Sequence, residues 1–127
     1  MDDRTIARGV ALSRVAFGLL MLLAPRLLTR RTGDGRDPQV PYVWWLRAFG
    51  IRDAVLGAGA YMALTSEDDE AAARWVQAGA LADTADAVTA VAYRRDLDGR
   101  SRLATVAIAV PAAALGWKSA LGLRRAG

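Results

Sequence analysis

The sequence predicts an all-α protein, an antiparallel four-helix transmembrane bundle that takes up residues 1–127 as a single domain. Three observations carry that expectation. Hydrophobic residues make up 54% of the chain and charged residues 24%, a mixture compatible with a membrane protein only if the charges are segregated or deliberately placed. The apolar residues gather in four segments of about 20 residues each, near the ~20 needed to cross ~30 Å of hydrocarbon at 1.5 Å per residue. The aromatic residues fall at segment ends, with Tyr42, Trp44, Trp45 and Tyr93 on one side and Tyr61, Trp75 and Trp117 on the other. Two such belts are what membrane interfaces favour.

The first segment runs from about Thr5 to Ala24 and stops at Pro25, before Arg26, Arg30, Arg31 and the turn-rich Thr32-Gly33-Asp34-Gly35. It is expected to be retained rather than cleaved. Met1-Asp2-Asp3-Arg4 is a poor positive leader, Arg14 interrupts the apolar run, and no small-x-small cleavage pattern follows. A loop through Asp37-Pro38 and Pro41 leads to the second segment, Val43 to Leu64. Ser66 is then read as a helix N-cap with Glu67 to Glu70 as acidic first-turn residues, opening the third segment, Ala71 to Tyr93. The charged turn Arg94 to Arg100 precedes the fourth, Ser101 to Leu123, which contains Pro111.

A soluble bundle is the competing class, because no segment reaches 18 consecutive residues without a charge or a proline. The belts decide against it. So do the outward faces, where Leu19, Leu20, Leu22, Val55, Met62, Val88, Val106 and Ile108 lack the charged stripe of a helix in water. Arginines concentrate in the loops after segments one and three, so the positive-inside rule puts those loops in the cytoplasm and both termini outside.

Composition excludes several chemistries. The chain has neither Cys nor His, which removes disulfides, thiolate sites, the commonest metal and haem ligand and the usual general base, and no cofactor is expected. Gly33 and Gly35 lack the strand-to-helix setting of a phosphate loop. The net charge of +4 resides in short loops mixed with Asp, so the expected partner is the lipid bilayer and not nucleic acid.

Charge inside the apolar segments carries the functional signal. Arg14, Arg47, Arg52, Asp53, Asp83 and Asp86 lie where an ion must face a bundle interior, a wet cavity or another ion. Spacing puts Arg14 on a stripe with Ala7, Ala11, Gly18 and Met21, and Asp53 on one with Gly50, Gly57, Ala60 and Leu64. Asp83 and Asp86 share a stripe with Ala72, Val76, Gly79, Ala90 and Tyr93, while segment four offers Thr105, Ala109, Ala112, Gly116 and Ser119. Small residues let membrane helices approach closely, so these stripes are expected to face inward. Rise per residue brings the charges near one depth, with three Arg balancing three Asp. Asp53, Asp83 and Asp86 become candidate catalytic or proton-exchanging groups, and Arg14, Arg47 and Arg52 candidate binding groups. Arg52, turned about 100° from Asp53, is expected either to face a neighbouring helix or to mark a subunit contact. Asp83 and Asp86, one turn apart, either share a proton or take one arginine each.

The run Arg47-Ala-Phe-Gly-Ile-Arg-Asp53, with Leu56-Gly57-Ala-Gly59 after it, Arg14-Val-Ala-Phe-Gly-Leu-Leu and Ala24-Pro25 upstream, and Asp83-Thr-Ala-Asp86 downstream, resembles a group of small, largely uncharacterised four-helix integral membrane proteins common in actinobacteria. The resemblance implies four spans with these residues as the signature and supplies no activity. The leading functional expectation is binding or transport of a small polar or proton-coupled solute. One alternative is a metal-free enzyme on a lipophilic substrate, such as an isomerase, cyclase or epoxide-opening hydrolase. The other is a structural subunit, as a homo-oligomer or within a larger membrane complex.

Overall fold

The computed structural model describes residues 2–32 and 36–126, and among them the chain is all-α, with no strand. Four long helices are α1 (Asp3–Leu23), α3 (Val40–Thr65), α4 (Asp69–Ala92) and α5 (Gly99–Ala126); a short α2 (Pro25–Thr32) follows α1. The expected Gly33-Asp34-Gly35 turn lies outside the described residues. The rest of the first connection differs from the expected loop, because Pro25 ends α1 and also opens α2. A proline at the first helical position gives up an N–H that would be unpaired anyway and arrives with its φ preset.

Capping explains the other boundaries. Asp2 accepts from the Thr5 amide at 2.6 Å to start α1. The N-cap of α4 is Asp68, accepting from the Ala71 amide at 2.8 Å. Ser66, expected in that role, instead closes α3, its hydroxyl donating to the Met62 and Ala63 carbonyls. Asp68→Ala is expected to lower stability by about 1 kcal/mol, read as a fall in thermal midpoint, whereas Ser66→Ala leaves the start of α4 intact. Asp98 accepts from the Arg100 and Ser101 amides at 3.0 and 2.9 Å, which starts α5 two residues ahead of the sequence expectation. The Ser101 hydroxyl and amide together hold the Asp98 carboxyl below its usual range.

The long helices form a closed antiparallel ring in the order α1, α3, α4, α5, with α1 packed most extensively on α3 and α4 on α5. Arg4, at the start of α1, fixes the alignment by pairing with Asp69 at the start of α4 and donating to the Leu64 carbonyl at the end of α3 at 2.8 Å. The small-residue stripes do face inward. All the residues expected on α1 and α3 are buried, as are Ala72, Val76, Gly79, Asp83 and Ala90 on α4 and Ala109, Gly116 and Ser119 on α5. Thr105 and Tyr93 are exposed. Pro111 also faces outward, so the carbonyl it frees is not at the bundle centre.

Size is distributed inside out. The core cluster consists of Ala7, Ala11, Ala60, Ala63, Leu64, Ala72, Ala73, Val76, Ala120 and Leu123, and no side chain bulkier than Leu64 is fully buried among the described residues. Large apolar groups cover the outside, among them Trp44 (61% exposed), Met62 (68%), Val88 (62%) and Leu103 (69%). The core cluster fills only the half of the bundle that holds both chain ends, the α3–α4 turn and the Arg4 ties. Two helices, α1 and α5, are long and apolar enough to cross a membrane. The other two match them in length, at 26 and 24 residues, and carry Arg47, Arg52 and Asp53 or Arg74, Asp83 and Asp86 along that length.

Candidate functional site

Five of the six charges singled out from the sequence meet in one layer. Arg14, from the middle of α1, is buried, and its Nη1 donates to Asp53 Oδ1 on α3 at 3.0 Å. Its Nη2 reaches across the ring to α4, donating to the Gly79 carbonyl at 3.1 Å and pairing with Asp83. A Cβ on Gly79 would lie 3.1 Å from Arg14 Nε, so glycine there makes room for the guanidinium as well as offering it a carbonyl. Arg52 donates through Nε and Nη2 to Asp53 Oδ1, both at 3.1 Å, and grips Asp86 in a two-pronged contact at 3.2 and 2.7 Å. Such planar, paired bonding suits guanidinium and carboxylate better than any other combination of side chains. Phe49, one helical turn earlier, lies 5.1 Å below the Arg52 guanidinium.

The chain of contacts therefore runs Asp83, Arg14, Asp53, Arg52, Asp86. The two layer aspartates of α4 each take their own arginine, and among the described residues they form no hydrogen bond to one another. Arg52 turns toward α4, the neighbouring helix, which is one of the two directions expected. Arg47 stands apart: it is exposed and forms no ion pair among the described residues. That omission changes the charge balance. Two guanidiniums now face three carboxylates, so the ionised layer carries one negative charge in excess, where the sequence pointed to neutrality. No buried side-chain nitrogen or oxygen lacks a partner among the described residues, so the layer is bonded as well as charged.

Beyond the layer, toward the α2 end, the helices part around a cavity of about 370 Å³. Arg52, Asp53, Asp83 and Asp86 supply its floor; Phe17, Met21, Leu46 and Phe49 and the α5 residues Ala104, Ile108 and Ala109 supply walls; Tyr42, Tyr93, Leu97 and Ser101 lie toward its mouth. On the other side of the layer the Ala/Leu core closes the bundle. The site is thus a one-ended pocket with an ionic floor. Asp53 Oδ2 and Asp83 Oδ1 receive no hydrogen bond among the described residues, and both carboxylates line the cavity.

Sequence spacing brought out the charges but not the groups that support them. Phe49 and Arg52 are three apart, and Gly79 and Asp83 four apart, so both supports were present as one-turn neighbours on a helix face. The Trp117 indole donating to Thr84 Oγ1 at 3.1 Å, which ties α5 to α4 beside the layer, had no such local signal. No protein family, curated protein or solved structure matches the chain.

Proposed function

We propose that this chain is a four-span integral membrane protein that binds a small solute in the half-open bundle, using the Arg/Asp layer as floor, and passes the solute or a proton across that floor. The observation that carries the proposal is the pocket itself: charged at its base, open toward one end and sealed beyond by alanine packing. The inside-out size distribution supports the membrane setting. Water would drive Trp44, Met62, Val88 and Leu103 inward, whereas lipid tails accept them and leave small residues to bring the helices together.

Helices α3 and α4 fall short in apolarity for a reason consistent with spanning. Hydropathy counts Arg52, Asp53, Asp83 and Asp86 as separate ions, although each is paired with another inside the bundle. Pairing removes most of the cost that a lone ion would incur in hydrocarbon. With the arginine-rich loops in the cytoplasm, the cavity opens to that side. Binding ranks above catalysis because each of the three carboxylates is already engaged by a guanidinium.

The natural chain has no cysteine, so single-cysteine variants report access cleanly. In sealed vesicles of known orientation, Thr89→Cys and Ala104→Cys are expected to react with a membrane-impermeant thiosulfonate from one face only. Ala120→Cys, in the closed half, reacts from neither. Labelling of Ala104→Cys from both faces, or recovery of the chain in the water-soluble fraction, would remove the proposal.

A further inference from the structure

The charge count and the wall chemistry together say what kind of solute fits. The layer has one carboxylate more than its arginines neutralise, and the two carboxylate oxygens without a hydrogen bond belong to Asp53 and Asp83, each only 7% exposed. Above them the walls are apolar and aromatic: Phe17, Phe49, Tyr42 and Tyr93 surround the space, and α5 adds only hydroxyl and alkyl groups. Aromatic faces attract a desolvated cation, and a volume of about 370 Å³ lies at the small end of the range for ligand cavities. No group of three acidic side chains among the described residues converges well enough to hold a metal ion, because the guanidiniums stand between the carboxylates.

We infer that the cavity takes an organic monocation, an ammonium or amidinium head on an apolar body, and that this charge and a proton compete for the surplus carboxylate. The inference rests on the solute-binding reading above. The head sits at Asp53 and Asp83 and the body lies against the aromatic walls. The groups that set the competition are Arg14 from α1, Arg52, Asp53 and Tyr42 from α3, and Asp83, Asp86 and Tyr93 from α4; neither α2 nor α5 contributes an ionisable group to the cavity. Without a guest, one proton compensates the surplus charge of a site withdrawn from water. A permanent cation that enters displaces that proton, so binding weakens as pH falls.

The experiment is calorimetric titration of the full chain in lipid nanodiscs with benzyltrimethylammonium, benzyl alcohol and phenylacetate, in buffers of different ionisation enthalpy. The cation is expected to bind at least about tenfold more tightly than either other compound. About one proton is released per cation bound. Asp83→Asn removes both the preference and the proton release. Asp86→Asn neutralises the same surplus at a more exposed position and carries the test where Asp83→Asn fails to fold. Retention of the preference in a folded variant, or equal binding of alcohol and cation, overturns the inference while leaving a solute site in place. Failure of all three compounds to bind overturns the solute site itself.

Discussion

Arg14→Ala is expected to cost most or all of the protein's stability. Among the described residues the guanidinium is the only group in the layer that crosses the ring from α1 to α4, and it serves Asp53, Asp83 and the Gly79 carbonyl at once. Its loss leaves Asp83 without a cation and Asp53 with Arg52 alone. Removing one partner of a buried pair typically costs about 3–5 kcal/mol, against a total stability of about 5–15 kcal/mol for a domain. Thermal unfolding in detergent, followed by circular dichroism, should register the loss as a large drop in midpoint or as absence of a transition. The double variant Arg14→Met with Asp83→Leu removes one charge of each sign and is expected to recover much of the deficit, since apolar replacements of buried ion pairs are often neutral or better. An Arg14→Ala protein as stable as the parent would mean that the layer is not what holds α1 to α4.

That same layer marks how far the sequence can be read. Helix faces were legible because small residues recur at three- and four-residue steps, and the stripes through Arg14, Asp53 and Asp83 brought those charges inward together. Depth without facing misled for Arg47. It lies about 120° around α3 from Asp53, so a suitable depth along the chain placed it on the outer surface. The excess negative charge was hidden by that one misassignment. Pro25 was read as a stop although the same residue also starts α2, and Ser66 as a start although its hydroxyl can bond backward to carbonyls. These are choices between two local hydrogen-bonding roles, and neighbouring residues alone do not decide them. The cavity was not legible at all. It arises because the alanine packing of one half does not continue into the other, a property of four helices together rather than of any segment.

Gly50→Val is expected to be the second most damaging substitution, for a reason that joins packing to the charged layer. A Cβ at Gly50 would stand 2.6 Å from the Gly18 carbonyl oxygen and 2.8 Å from the Leu22 amide nitrogen; one at Gly18 would stand 2.6 Å from both the Gly50 oxygen and the Ala54 nitrogen. At Gly57 the obstacle is the Ala11 carbonyl oxygen, again at 2.6 Å. These are main-chain atoms, so no side-chain rotation relieves the clash and α1 and α3 must move apart by about 1 Å. Arg14 lies between Ala11 and Gly18, and Asp53 between Gly50 and Gly57, so any such separation also stretches the 3.0 Å bond between them. Overpacking alone typically costs about 1–3 kcal/mol, and a strained buried ion pair adds to it. Gly18→Ala and Gly50→Ala each act by forcing the same separation. Their double variant should therefore cost less than the sum, since the first substitution makes the room that the second needs. Gly59→Ala meets the Trp75 ring of α4 instead and should add independently to Gly18→Ala. Gly9, on the same helix, has nothing within 4 Å of an added Cβ, so Gly9→Ala should be neutral or stabilising by up to about 1 kcal/mol. If Gly9→Ala and Gly18→Ala proved alike, α1 would be responding to helix propensity alone, and the close seam with α3 could not be what sets the distance from Arg14 to Asp53.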